Sequence, residues 1–427
     1  MTNALRGIHP RLIPGPPNPH PSLAILPALR GLGDDFAWAV WYAVWRARGE
    51  DDVGDAEDAG ERADRFGAAL GRVPELDDAL RTLCGYVQGL VARPDAADAL
   101  LRVSEWALEQ GLGEPAMQCA DAAAALVPES ARRALAAGRA SRIFGEVARA
   151  EMYYERAVTL ARISRKWRTY VRAHLGLGQV KKALGDPGAA RAHYFTAARA
   201  ARSLSGEKWL AAQTRHDLLG LAAEVGAFDE ALRHAEKALE WYPRHHPSVP
   251  ALAHDFAFLL VRMDRCRDAV PLLEAVLPKL TPRDQVIGWS TLARAAARIG
   301  HTEGYQRAVE NTLRLVGLFD HHAAAAFANL AWGALHLGLR KDAEQYAMRS
   351  LEISELRVEA EAEKVAQAVL AIIRTTVPAG PDASATDRYP SSLLRRLSIE
   401  IMACLSTWRG ATWKRKEQSG RERLGRV

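Results

Sequence analysis

The chain has 427 residues, with 57 Lys and Arg against 51 Asp and Glu, for a formal net charge of +6. Its four cysteines, Cys84, Cys119, Cys266 and Cys404, show no paired spacing, which excludes a disulfide framework and a Cys-rich zinc site and points to a reducing, cytoplasmic setting. Hydrophobic residues make up 48%, enough for a large core, and alternating β-branched runs are missing, so the chain reads as all-α.

Residues 1–33 are rich in Pro and Gly, with Pro10, Pro14, Pro16, Pro17, Pro19 and Pro21 interrupting any apolar leader. They read as an extended segment without a signal peptide. Residues 34–48 read as an apolar helix capped by Asp34, with Trp38, Trp41, Tyr42 and Trp45 spaced for one face. That stripe suits either packing on the next helices or capture of a partner. After the acidic stretch 50–58, helices are expected over 60–71 and 75–92. The block 34–96 is then an N-terminal cap or a divergent repeat.

From residue 97 to 352 one pattern recurs. Gly138, Gly145, Ala150, Tyr154 and Ala157 return as Gly178, Gly185, Ala190, Tyr194 and Ala197. Taking the small residue near the start of the second helix as anchor gives Ala116, Ala150, Ala190, Ala231, Ala269, Tyr305 and Ala343, at gaps of 34, 40, 41, 38, 36 and 38 residues. Five residues before each anchor stands a turn residue: Gly111, Gly145, Gly185, Gly226, Asp264, Gly300 and Gly338. Glycine there ends a helix in the left-handed region. Apolar residues such as Leu177, Leu218, Phe256, Leu292 and Leu330 mark the preceding helix.

This unit of helix, tight turn and helix resembles the tetratricopeptide (TPR) repeat. The best single copy runs from Gly226 through Phe228, Ala231, Ala235 and Ala238 to Pro243, and Trp289 stands at the leading Trp position of the sixth copy. The resemblance implies an α-solenoid of about seven helix pairs with helical caps. It also implies a groove lined by the first helix of each pair. In the family's register the groove residues are Arg132, Arg139 and Arg142, then Arg172, Gln179 and Lys182, then Gln213 and His216, His254 and Phe258, Arg294 with Ser290, and Trp332 with Asn329 beside it. Clustered arginines suit an acidic peptide, because a guanidinium pairs with a carboxylate through two parallel hydrogen bonds. They also suit an ordinary solvated helix face.

Residues 353–375 read as a covering helix, placed at 355–375 with Leu356, Val365, Val369, Ile372 and Ile373 as its apolar set. Residues 376–392 read as a linker. The tail 393–427 sets the charge: residues 388–427 hold ten Lys and Arg and three Glu, a net of +7, which leaves −1 for the rest. Leu393, Leu397, Ile401, Leu405 and Trp408 form an amphipathic stripe, with Arg395 and Arg396 off it and Trp413, Lys414, Arg415 and Lys416 following. The tail has three readings: a solubilising extension, a helix docking on a partner or anionic membrane, and a nucleic-acid contact.

No phosphate-binding loop, nucleophile elbow or His-Glu-x2-His is present. The pairs His245-His246 and His321-His322 read as solvated loop histidines. The uncharged run 321–339 has spanning length, but it is Ala-rich and coincides with a repeat helix. The sequence therefore points to a non-enzymatic scaffold or adaptor with a protein or peptide partner and no cofactor or metal. The alternatives are a ligand-responsive regulator and a peripheral assembly factor working through the tail.

Overall fold

In the computed structural model the described residues are 24–49, 59–204, 206–375 and 391–409. Every regular element among them is helical: α1 (Ile25–Leu29), α2 (Asp34–Ala47), α3 (Ala59–Ala69), α4 (Asp77–Val87), α5 (Arg93–Glu109), α6 (Gly113–Leu126), α7 (Ala131–Phe144), α8 (Val147–Ile163), α9 (Trp167–Ala183), α10 (Pro187–Arg202), α11 (Lys208–Glu224), α12 (Phe228–Trp241), α13 (Val249–Arg262), α14 (Cys266–Val276), α15 (Pro282–Arg298), α16 (Thr302–Val316), α17 (Ala323–His336), α18 (Arg340–Arg357), α19 (Ala360–Arg374) and α20 (Ser391–Thr407), with three one-turn 3-10 segments between. The chain divides into two compact units, Met1–Val180 and Lys181–Val427.

The fold is an all-α helical-repeat solenoid, and its punctuation is the one expected. The seven turn residues all have positive φ: 79° at Gly111, 105° at Gly145, 75° at Gly185, 78° at Gly226, 60° at Asp264, 76° at Gly300 and 74° at Gly338. Asp264 occupies this region because a short side chain that bonds locally tolerates it. Its carboxylate is held by Arg298, one repeat onward, at 2.7 and 2.6 Å. The anchors are buried without exception, six alanines at 0% exposure and Tyr305 at 5%. Small anchors let the paired helices approach closely. Tyr305 breaks the rule only because Gly333 gives way: a Cβ on Gly333 would stand 2.8 Å from the Tyr305 ring.

In the first unit, α5 pairs with α6 and α7 with α8. The cap is built before them. α2 packs on α3, α4 and α6, and α1 also reaches α6. Trp38 and Trp45 are buried. Trp38 stacks on Tyr42 at 4.9 Å, meets Phe66 edge-on, and carries Arg65 over its ring at 4.2 Å. The aromatic stripe is thus interior packing. Two boundaries differ from expectation. The chain turns helical at Ile25, inside the segment read as extended, because Ile25 and Leu29 are buried. Gly33, with φ of 108°, caps α2 in place of Asp34, which lies in the first turn.

In the second unit, α11 pairs with α12, α13 with α14, α15 with α16 and α17 with α18, and α19 covers α17 and α18. Residues 355–357 belong to α18, which ends at Val358 with φ of 57°. Arg357 fixes that break by holding Asp320 and Glu359 at 3.0 Å each. Leu356 therefore points outward, 83% exposed, contrary to its place in the expected apolar set.

Helix α20 corrects the reading of the tail. Leu394, Leu397, Ile401 and Leu405 are at most 2% exposed and join the core of the second unit against α13 and α14. Trp408 donates its indole N–H to the His246 carbonyl at 3.1 Å, and Arg396 pairs with Glu236. Arg395 is exposed. The apolar stripe is spent inside the protein and is not offered to a membrane. Trp413, Lys414, Arg415 and Lys416 lie outside the described residues, as do 1–23 and residues 376–390 of the expected linker 376–392, whose last two residues, Ser391 and Ser392, open α20. No helix among the described residues is long and apolar enough to cross a membrane.

Candidate functional site

Helices α11, α13, α15, α17 and α19 touch one another in sequence and form one row. A residue on one of them meets its counterpart one repeat away. A polar ladder runs along the row on this principle. His216 meets Asp255 at 2.9 Å, Asp255 meets His254 at 3.0 Å, and His254 meets the Thr291 hydroxyl at 3.3 Å. Asn329 donates to Ser290 and Thr291 at 3.3 and 3.5 Å, and Arg294 donates to the Asn329 carbonyl at 3.4 Å. Burial alone would lower the His216 pKa, but its bond to Asp255 and the Asp255 and Asp217 charges raise it overall. Burial alone would raise Asp255, and the bonds from His216 and His254 hold it far below the usual carboxylate range.

These bonds correct two expected groove contacts. His254 and Asn329 are 6% and 5% exposed and act as inter-helix ties. His216 is held by Asp255, and Lys182 donates to Glu224 at 2.9 Å. Gln213, Phe258 and Trp332 are half-buried on the same row.

The ladder ends in a cleft of about 160 Å3 lined by Arg262, Asp264, Cys266, Arg294, Arg298 and Trp332, among others. Arg294 lies over the Trp332 ring at 5.4 Å. Arg262 pairs with Glu361 at 3.5 Å and Arg298 with Asp264. Burial, aided by repulsion from Arg262, lowers the Arg294 pKa to about 10. Burial and the nearby Arg294 and Arg298 charges lower His336 at the cleft edge to about 4. Burial pushes the Cys266 thiol up to about 11, so it is no ready nucleophile.

In the first unit, Arg132 and Arg139 are exposed on α7, while Arg142, Arg172 and Gln179 are half-buried. Arg132 shares Asp98 with Arg133, at 3.5 and 3.0 Å. The expected residues thus fall into two groups, one in each unit.

The histidine pairs differ from the solvated reading. His246 is 6% exposed and lies against Trp209 and Tyr242. His322 faces Asp284 at 3.7 Å. Among the described residues no group of three or more His, Cys, Asp or Glu is placed to hold a metal. Sequence reasoning missed Asp255, Thr291, Arg262 and Arg298. Their signal was polar residues on successive first helices, 37 to 39 positions apart for the pairs His254–Thr291 and His216–Asp255.

No family model and no curated protein matches this chain. Among solved structures it is similar to the APC/C hetero-tetramer Cut9-Hcn1, at 14% identity and a TM-score of 0.43, covering 79% of this chain and 63% of that one. The chain thus spans less than two thirds of that relative's length. It is also similar to the apo form of RapI, at 12% identity and a TM-score of 0.35, covering 78% and 99%. A third is a Rap protein complexed with Competence and Sporulation Factor, at 12% identity and a TM-score of 0.34, covering 80% and 98%.

Proposed function

We propose that this chain is a non-enzymatic interaction protein that holds an acidic segment of a partner protein on the first helices of its repeats. The observation that carries the reading is Arg294 laid over Trp332 beside Arg262 and Arg298 in one cleft. A cation on an aromatic face is a common recognition element. Burial and the Arg262 charge lower the Arg294 pKa to about 10, and a carboxylate brought beside it would favour its charged form. Phe258 and Trp332 offer apolar surface, and Arg132, Arg139, Arg142 and Arg172 offer a second set of cations in the first unit. Three cationic or titratable groups near the cleft and the ladder already have acidic partners: Lys182 has Glu224, His216 has Asp255 and Arg298 has Asp264. Specificity there rests on Arg294 and the aromatic rings more than on gross charge.

The test is fluorescence anisotropy of Glu-rich peptides, selected on an array, against variants that keep native circular dichroism. Arg294→Gln with Trp332→Ala is expected to weaken binding by about 10- to 100-fold, on the scale of lost hot-spot residues. Arg132→Glu, Arg139→Glu and Arg172→Glu together are expected to abolish what remains. Unchanged affinity in both variants contradicts the reading.

A further inference from the structure

Helix α14 is short. It has 11 residues, against 14 in α12, 15 in α16 and 18 in α18. Pro278 stops it, because a proline ring clashes with the carbonyl four residues earlier, here that of Glu274, and supplies no N–H. The chain then makes one 3-10 turn, Leu277–Lys279, and enters α15 at Pro282. Where the helix falls short, a cleft of about 420 Å3 opens, lined from α15 by Gln285, Trp289 and Leu292 and from α16 by Arg307.

The walls of this cleft are apolar and held in place. Leu277 and Leu292, 3% and 1% exposed, form its floor. Trp289 is half-buried and packs against two clusters of the core. Gly288 lets α15 lie close to the 3-10 turn, since a Cβ there would stand 2.9 Å from both the Leu277 and the Leu280 side chains. The Gln285 amide donates to the carbonyls of the same two residues, at 3.2 and 3.4 Å. These bonds pin the turn to α15, and the Gln285 carbonyl oxygen is the group that side chain can offer a ligand. A cavity fixed in this way is formed before a ligand arrives.

Two opposite charges stand beside the apolar floor. Arg307 reaches from α16 to Glu274 on α14 and donates to it at 3.1 Å. Both side chains are exposed, at 57% and 48%. An ion pair so open to water is weak, and a ligand carrying both charges can take its place at little cost. Glu274 also lies in the last turn of α14, where the helix carbonyls favour a cation. The cleft thus sets an ammonium-binding group, a carboxylate-binding group and an apolar pocket side by side.

We propose that this cleft binds a free α-amino acid with an apolar side chain. Its ammonium group pairs with Glu274, and its carboxylate takes the Arg307 fork through two hydrogen bonds. Its side chain lies against Trp289, over Leu277 and Leu292. The volume is near the lower end of the range for small-ligand pockets, about 300 to 1,000 Å3, which suits one amino acid better than a nucleotide or a lipid chain. An apolar ligand with a single charge would part Glu274 from Arg307 and match only one of them. The site goes beyond the partner-binding reading and uses none of its residues.

Isothermal titration calorimetry of the full chain with L-phenylalanine and with L-leucine tests the assignment. Saturable binding of at least one, with a Kd below about 1 mM, is expected. The amide of that amino acid lacks the carboxylate and its N-acetyl derivative lacks the ammonium. Each is expected to bind at least about tenfold more weakly. Glu274→Gln and Arg307→Gln alter exposed side chains, and each is expected to weaken binding of the amino acid by at least about tenfold with the circular dichroism unchanged. Glu310→Gln, exposed on the same helix as Arg307, is expected to bind as the parent chain does. Failure of both amino acids to bind below about 1 mM overturns the proposal. So does equal affinity for the amide, as capture of a peptide N-terminus would give, or for the N-acetyl derivative. Undiminished binding by either charge variant, or an equal loss in Glu310→Gln, overturns it as well.

Discussion

Gly176→Ala is expected to destabilise the first unit, against the usual sign for such a change. Inside a helix, glycine to alanine normally stabilises by about 0.5 to 1 kcal/mol. Gly176 lies within α9, but a Cβ there would stand 2.4 Å from the Tyr154 ring. Tyr154 is 2% exposed and also covers Gly138, where a Cβ would stand 2.9 Å away. The ring is wedged between two glycines and has nowhere to go. Overpacking of this kind costs about 1 to 3 kcal/mol, occasionally more. For a unit of this size that lowers Tm by roughly 2 to 4 °C per kcal/mol. Gly220→Ala in α11 is the control, since nothing lies within 4 Å of its added Cβ. It should stabilise the second unit slightly. Urea and thermal melts of both variants check the pair. Equal stability of the two would mean that the Tyr154 contact does not order the stack.

Leu397→Ala with Ile401→Ala is expected to release α20. Both residues are at most 2% exposed against the core of the second unit. Truncating a buried Leu or Ile to Ala costs about 2 to 5 kcal/mol at each site. A single terminal helix responds by undocking, which caps the loss. The expected result is early proteolysis within 391–409 and a red-shifted Trp408 emission, as its indole leaves the His246 carbonyl. The repeats themselves should keep their helical signal. Continued protection of α20 would contradict its assignment as part of the core.

The turns and anchors were legible in the sequence because each excludes most residue types. A left-handed turn favours glycine, and a helix crossing admits alanine. Where the pattern broke, as at Tyr305, the compensation lay in Gly333, which nothing local announced. The amphipathic stripe of α20 was legible, but a stripe does not name the surface it meets. The ladder from His216 to Asn329 was only half visible. The register picked out His216, His254, Arg294 and Asn329 but could not tell that they bond to Asp255, Thr291 and one another. Repeats of 34 to 41 residues shift which side chains face across a helix pair.

Amide hydrogen exchange of the second unit, with and without a captured acidic segment, tests the functional account most directly. Added protection is expected in α13, α15 and α17, greatest around Arg294 and Trp332, with α14, α16 and α18 unchanged. Protection confined to those even-numbered helices, or none anywhere in the row, would contradict it.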